Sequence, residues 1–208
     1  MKKDITVSLH DIGMKFDGKE LFSNLNFSVK SGELAAVTGR NGAGKSTLLK
    51  IIASLVRPTS GQVEFVAGQN KLDLETRRLF FGLVSPEFVF YNSLTALENI
   101  IFLAKLRGLN LTINEIEQVL AATGLAGRGG DRLAFYSTGM RQRLKLALLL
   151  ALDPPLWLLD EPSANLDEAG KKLVKDIIGQ ALHNSTAIVL ATNVPEETES
   201  AQTVIALC

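Results

Sequence analysis

Gly39-Arg40-Asn41-Gly42-Ala43-Gly44-Lys45-Ser46 matches G-x-x-x-x-G-K-[ST], the pattern of a phosphate-binding loop. Its surroundings make the match physical. Leu34-Ala35-Ala36-Val37-Thr38 before it reads as a short buried strand. Ser46-Thr47-Leu48-Leu49-Lys50-Ile51-Ile52-Ala53 after it reads as a helix with apolar positions on one side. Glycines let backbone N–H groups turn inward around a phosphate, and the N-terminus of the following helix adds partial positive charge. In such a loop Lys45 reaches the β- and γ-phosphates, and the Ser46 hydroxyl sits on Mg²⁺.

Composition sets the frame. A chain of 208 residues, 46% of them hydrophobic, suits one domain with a sizeable core. Lys+Arg and Asp+Glu both number 22, so the balanced charge argues against a large nucleic-acid footprint, and no nucleic-acid partner is expected. The single cysteine, Cys208, permits no internal disulfide, and a reducing compartment is expected. Met1-Lys2-Lys3-Asp4 leads into alternating residues instead of an apolar leader core. The longest apolar run, residues 146–152, falls far short of the roughly 20 residues of a spanning helix.

The rest of the chain reads as alternating strands and helices. Residues 5–9 alternate Ile5, Val7 and Leu9 with Thr6 and Ser8, and residues 21–29 place Leu25, Phe27 and Val29 on one face. With Asp17-Gly18 and Ser31-Gly32 as turns, the N-terminal region is expected to be antiparallel. Phe16 between these strands is either an aromatic platform for adenine or a core or edge aromatic. Val63, Phe65 and Val66 read as a strand, as do residues 79–84. Helices are expected over 94–107 and from the capping box Thr112-Ile113-Asn114-Glu115 to about 123, so 94–136 forms a helical insert. Ser137 caps a helix reaching about Leu152, which Pro154-Pro155 stops. Leu156-Trp157-Leu158-Leu159 is a buried strand, Asp167 caps the next helix, and strands at 186–191 and 203–207 flank a short helix at 195–200. Strands alternating with helices imply an α/β fold with a parallel sheet.

Asp160-Glu161 follows a strand directly, at the sheet edge where open α/β folds bind ligands. There Asp160 is suited to hold Mg²⁺ through water, and Glu161 to accept the proton of an attacking water. Four stretches then occur in order: GRNGAGKS, YSTGMRQR, LWLLDEP and SANLD. Together they resemble the nucleotide-binding subunit of ATP-binding-cassette (ABC) transporters over nearly the whole chain. The resemblance implies a P-loop NTPase of the ABC type. Such a cassette is a single domain over 1–208 with a mostly parallel core sheet, an N-terminal antiparallel β region and a helical subdomain at about 94–136. It implies binding of ATP and Mg²⁺ by Phe16, the loop from Gly39 through Thr47, and Asp160. Ser137 and Gly139 belong to the stretch that resembles the signature L-S-G-G-Q, which in the family serves a partner's nucleotide. Two copies are expected head to tail, with Asp167 contacting the partner. A transmembrane permease subunit is the further partner, and the cassette would sit on the cytoplasmic, inner face of the cell membrane.

The departures from the family pattern bear on turnover. Pro86 stands where the family has a glutamine that contacts Mg²⁺ and water. Asn193 stands where it has a histidine on the γ-phosphate, and an amide carries neither proton nor charge. Thr138 and Met140 replace the first glycine and the glutamine of the signature. Two functions stay open: an ATPase motor subunit of a transporter, with Glu161 and Asn193 at the chemistry, or a soluble or slow cassette acting mainly by nucleotide binding. Within the transporters, residues 94–99 and 137–144 resemble the haem exporter branch of cytochrome c maturation. The apolar run Phe88-Val89-Phe90-Tyr91 lies in a stretch that reads as loop, so it is expected to be exposed and to dock the transmembrane subunit.

Overall fold

The computed structural model describes residues 4–207. The leader and cysteine readings rest partly on Met1 to Lys3 and on Cys208, which lie outside the described residues. The chain divides into two compact units. One takes the chain up to Ser85, with Pro154–Glu161 and the stretch from Ile178 on; the other takes Pro86–Asp153 and Pro162–Ile177.

The first unit holds two sheets. Strands β1 (Ile5–Phe16) and β2 (Lys19–Lys30) form an antiparallel hairpin. Adding β4 (Ser60–Ala67) and β5 (Asn70–Lys71) gives a sheet in the order β2-β1-β4-β5. Strand β1 runs well past the alternation visible at residues 5–9 because a bulge resets its phase. Burial falls on Ile5, Val7 and Leu9, then on Ile12 and Met14. Between them Asp11 takes a left-handed φ of 51°. Asn26 clamps the bulge, accepting from the Asp11 N–H at 3.0 Å and donating to its carboxylate at 2.8 Å. A one-residue insertion swaps which parity faces the core, so a strict period of two breaks there.

The second sheet is parallel, in the order β6-β7-β8-β3-β9. Its strands are β3 (Leu34–Gly39), β6 (Phe81–Val84), β7 (Leu156–Asp160), β8 (Ala187–Ala191) and β9 (Thr203–Leu207). Every residue of β7 and β8 is buried, which explains their unbroken apolar runs. Helix α1 (Lys45–Ile52) presses Leu48, Leu49, Ile51 and Ile52 into the same core as Phe65 of β4 and Leu158 of β7. Each such side chain contributes about 1.5–3 kcal/mol on burial. A single turn, α2 (Leu74–Arg77), was not legible in the sequence; Asp73 caps it by accepting from the Thr76 N–H.

In the second unit α3 (Ala96–Leu106), α4 (Ile113–Ala122) and α5 (Thr138–Leu152) pack Ile100, Ile116, Leu120, Leu144 and Ala147 together. Both α3 and α4 open on complete capping boxes, Thr95 with Glu98 and Thr112 with Glu115. Helix α6 (Glu168–His183) runs from this unit into the first and buries Val174, Ile177, Ile178 and Ala181.

The expected exposed aromatic cluster at 88–91 is not one surface. Phe90 is buried in the helical core, with Phe88 half-buried against it edge to face at 4.9 Å, while Val89 and Tyr91 are exposed. Buried Asn99 enforces this alternation. Its side chain accepts from the Tyr91 N–H and donates to the Tyr91 and Thr95 carbonyls, which fastens the end of the segment to the start of α3. Phe90→Ala is therefore expected to destabilise the protein by about 3–5 kcal/mol, while Val89→Ala stays within about 0.5 kcal/mol. Urea unfolding of the two variants measures both.

Candidate functional site

The site in the first unit is assembled by strand order. Strands β7, β8 and β3 are neighbours, and their carboxyl ends are in register: Asp160 pairs with Ala191 and Ala191 with Val37. The Thr192 N–H then donates to the Val37 carbonyl at 3.0 Å, which carries Asn193 alongside the loop that follows β3.

That loop needs its glycines. Gly39 has φ 145°, and a Cβ there would lie 2.5 Å from the Leu207 carbonyl oxygen. Gly44, the N-cap of α1, has φ 99°, and Gly42 has φ 85°. Helix α1 carries no side-chain cap and no acid in its first turn. Its opening N–H groups therefore have no capping side chain from the helix itself, which leaves them available to a phosphate. Helices α2, α3, α4 and α6 all carry an acid there.

Lys45 is only 6% exposed, and its ammonium is hydrogen-bonded by neutral oxygens. Nζ donates to the Gly39 carbonyl at 2.8 Å, to the Arg40 carbonyl at 3.4 Å and to Asn193 Oδ1 at 2.9 Å. Asn193 Nδ2 in turn donates to Asn41 Oδ1 at 2.7 Å. Asn193 thus lies beside the lysine of the loop, a contact that 148 residues of separation hide from sequence.

Asp160 ends β7 and is 4% exposed. Burial pushes its carboxyl above the ordinary aspartate range; a hydrogen bond from Ser46 opposes this, and the charge of Glu161 adds to it. Glu161 leaves the strand with a left-handed φ of 48°, held by its N–H on the Ala191 carbonyl at 2.9 Å. Backbone held in this way is strained for a non-glycine residue and recurs at functional sites. Ser46 and Asp160 supply one hydroxyl and one carboxylate side by side. Among the described residues no group of three or more His, Cys, Asp or Glu gathers to hold a metal. A sparse oxygen pair of this kind fits Mg²⁺, which takes one or two protein ligands and completes its shell with phosphate and water. Phe16 is 49% exposed at the tip of the β1–β2 hairpin, which removes the core reading of this residue.

The second unit holds the remaining candidates. Ser137 caps α5 by accepting from the Met140 N–H at 3.2 Å, and α5, like α1, has no acid in its first turn. Arg141, in that same turn, was not singled out from the sequence. Its guanidinium reaches the Tyr136 and Leu133 carbonyls and Asn92 Oδ1, tying down the segments before and beside Ser137. A cation in a first helical turn opposes the helix dipole, and that was the available signal. Gln142 donates to the Pro162 carbonyl at 2.8 Å, and Arg143 pairs with Asp167 at 3.3 Å. Asp167 also accepts from the Gly170 N–H, consistent with its expected role as cap of α6. Gly139 lies against Asn165 and Leu166, and Pro86 is exposed two residues beyond β6.

A parallel sheet that delivers a glycine-rich strand-to-helix turn beside a strand-end Asp-Glu pair defines a nucleotide-binding domain of the P-loop class. The chain belongs to the ABC transporter family, whose model matches residues 22–164. It is similar to the cytochrome c biogenesis ATP-binding export protein CcmA of Bradyrhizobium diazoefficiens, 37% identical over 177 residues, 85% of this chain and 86% of the relative. CcmA of Brucella abortus is 33% identical over 178 residues, 86% of this chain and 80% of the relative. The bacitracin transport ATP-binding protein BcrA of Enterococcus faecalis is 31% identical over 206 residues, 99% of this chain and 67% of the relative. Among solved structures, an ATP-binding subunit of an ABC transporter superposes with a TM-score of 0.83 at 27% identity, over 97% of this chain and 85% of that one. A dimeric ATP-binding cassette bound to ADP and Pi in a post-hydrolysis state gives 0.84 at 26% identity, over 97% and 94%.

Gly39→Ala is expected to cost about 1–3 kcal/mol of stability, because a positive φ and the approach of β9 both exclude a Cβ. Thermal unfolding of the variant beside the parent protein measures this.

Proposed function

We propose that the chain is the ATP-hydrolysing subunit of a membrane exporter of the cytochrome c biogenesis type. The convergence of the Gly39–Thr47 loop, Asp160, Glu161 and Asn193 at one sheet edge carries the proposal. The likeness to CcmA proteins at 33–37% identity supports the branch. Phe16, half-exposed at its hairpin tip, offers a face for adenine. The loop N–H groups, the start of α1 and Lys45 bind the phosphates. Ser46 and Asp160 hold Mg²⁺, which neutralises charge on the phosphate oxygens when bound. Glu161 takes the proton of the attacking water.

The chain in this proposal works in pairs. Ser137, Gly139 and the acid-free start of α5 serve the nucleotide of a second copy packed head to tail, and Asp167, paired with Arg143, meets that copy. A transmembrane permease completes the assembly; no helix among the described residues is long and apolar enough to cross a membrane. The cassette would then lie on the cytoplasmic face of that membrane. A slow cassette that acts mainly by binding nucleotide is the second reading. Asn193, lying on Lys45 where the family has a histidine, and Pro86 in place of glutamine favour it.

Lys45→Ala is expected to abolish ATP binding, since it removes the one buried cation of the loop; nucleotide titration of parent and variant decides this, and equal affinity would refute the assignment of the loop. Glu161→Gln keeps the side-chain shape but cannot take a proton. With saturating ATP it is expected to run as a dimer in size-exclusion chromatography; a monomer under those conditions counts against the head-to-tail pair.

A further inference from the structure

Lys45 and Asn193 touch in a way that bears on which nucleotide the loop prefers. An ammonium has three N–H donors. Here the Gly39 carbonyl takes one at 2.8 Å, Asn193 Oδ1 takes one at 2.9 Å, and the Arg40 carbonyl takes the third only weakly, at 3.4 Å. A nucleotide triphosphate asks this lysine for two donors, one for a β-oxygen and one for a γ-oxygen. A diphosphate asks for one. The weak bond to Arg40 can be given up at little cost. The second donor comes from Asn193, because the Gly39 carbonyl belongs to a paired strand residue while an amide side chain can turn away.

The amide is also turned the wrong way for a γ-phosphate. Asn193 Nδ2 is committed to Asn41 Oδ1 at 2.7 Å, so the acceptor Oδ1 faces the lysine. Phosphate oxygens are acceptors too, and two acceptors facing one another repel. Room exists for the amide to leave. An open recess of about 430 Å³ is lined by Thr38, Gly39, Thr192, Asn193 and Val194 among others.

Resting on the nucleotide-binding role of this loop, we infer that Asn193, oriented by Asn41, occupies the γ-phosphate's donor on Lys45 and so lowers the preference for triphosphate over diphosphate. Asn193 is a specificity-determining residue, and Asn41 is its positioning residue. Binding of ATP therefore requires the Asn41–Asn193–Lys45 chain to open, whereas binding of ADP leaves it closed.

The test is the affinity of the purified chain for ATP and for ADP, each with Mg²⁺, by calorimetry. Asn193→Ala is expected to raise the ratio of ATP to ADP affinity about 5- to 30-fold, the equivalent of one or two kcal/mol. Asn41→Ala is expected to act in the same direction, less strongly, and not to add to Asn193→Ala, because both open one chain. Asn193→Asp turns the contact into a charge-assisted bond of roughly twice the strength and is expected to weaken ATP more than ADP. Cooperative thermal unfolding close to that of the parent shows that each variant is folded. An ATP-to-ADP ratio in Asn193→Ala equal to or below that of the parent overturns the inference while leaving the loop assignment intact. Nucleotide binding that is indifferent to Lys45→Ala overturns the loop assignment itself.

Discussion

No side chain fits at Gly39, and much of the first unit depends on that. Strand β3 is hydrogen-bonded on one side to β8 and on the other to β9, and Gly39 is its last paired residue, opposite Leu207. The chain must leave the sheet there with φ 145°, under the Leu207 carbonyl, to begin the loop that closes on α1. Glycine alone accepts both the dihedral and the contact. The same turn aims the acid-free start of α1 along the sheet edge and sets Lys45 against the carbonyls of Gly39 and Arg40. The geometry of the loop thus arises from the backbone first.

Around that turn the sheet acts as a ruler. Strands β7, β8 and β3 lie side by side with their ends aligned, so three sequence-distant dipeptides arrive together: Asp160-Glu161, Thr192-Asn193 and Gly39-Arg40. Parallel strands make this possible because all carboxyl ends share one edge. Burial at that edge gives Asp160 its raised carboxyl and leaves Ser46 as its partner. The site is therefore charged but sparsely ligated, as suits a cation shared with phosphate.

The helical unit follows a different logic. Two capping boxes start α3 and α4, and a fully buried asparagine, Asn99, fastens the segment that leads into α3. An uncompensated amide at that depth would cost several kcal/mol, so its three bonds hold the segment in one conformation. The result splits the aromatics at 88–91 between core and surface. At the other end Arg141 and Gln142 tie the start of α5 to neighbouring backbone, so that Ser137 is presented on an anchored loop.

Much of this was legible in the sequence because the determinants are local. The phosphate-loop pattern, the Asp-Glu pair after an apolar strand, the caps Ser137 and Thr112 and the run of strands and helices depend on a few consecutive residues. The resemblance to ABC cassettes rests on those same stretches. Long-range register was not legible. The bulge at Asp11 hides half of β1 because a phase change cancels the alternation. The burial of Phe90 depends on Asn99, eight residues past Tyr91 and set by helix packing. The contact of Asn193 with Lys45 exists only because β8 lies next to β3 in the sheet. Sequence by itself determined which chemical groups this protein carries and the local turns that present them; tertiary structure alone decided which groups meet, because strand order and register join residues that the chain keeps far apart.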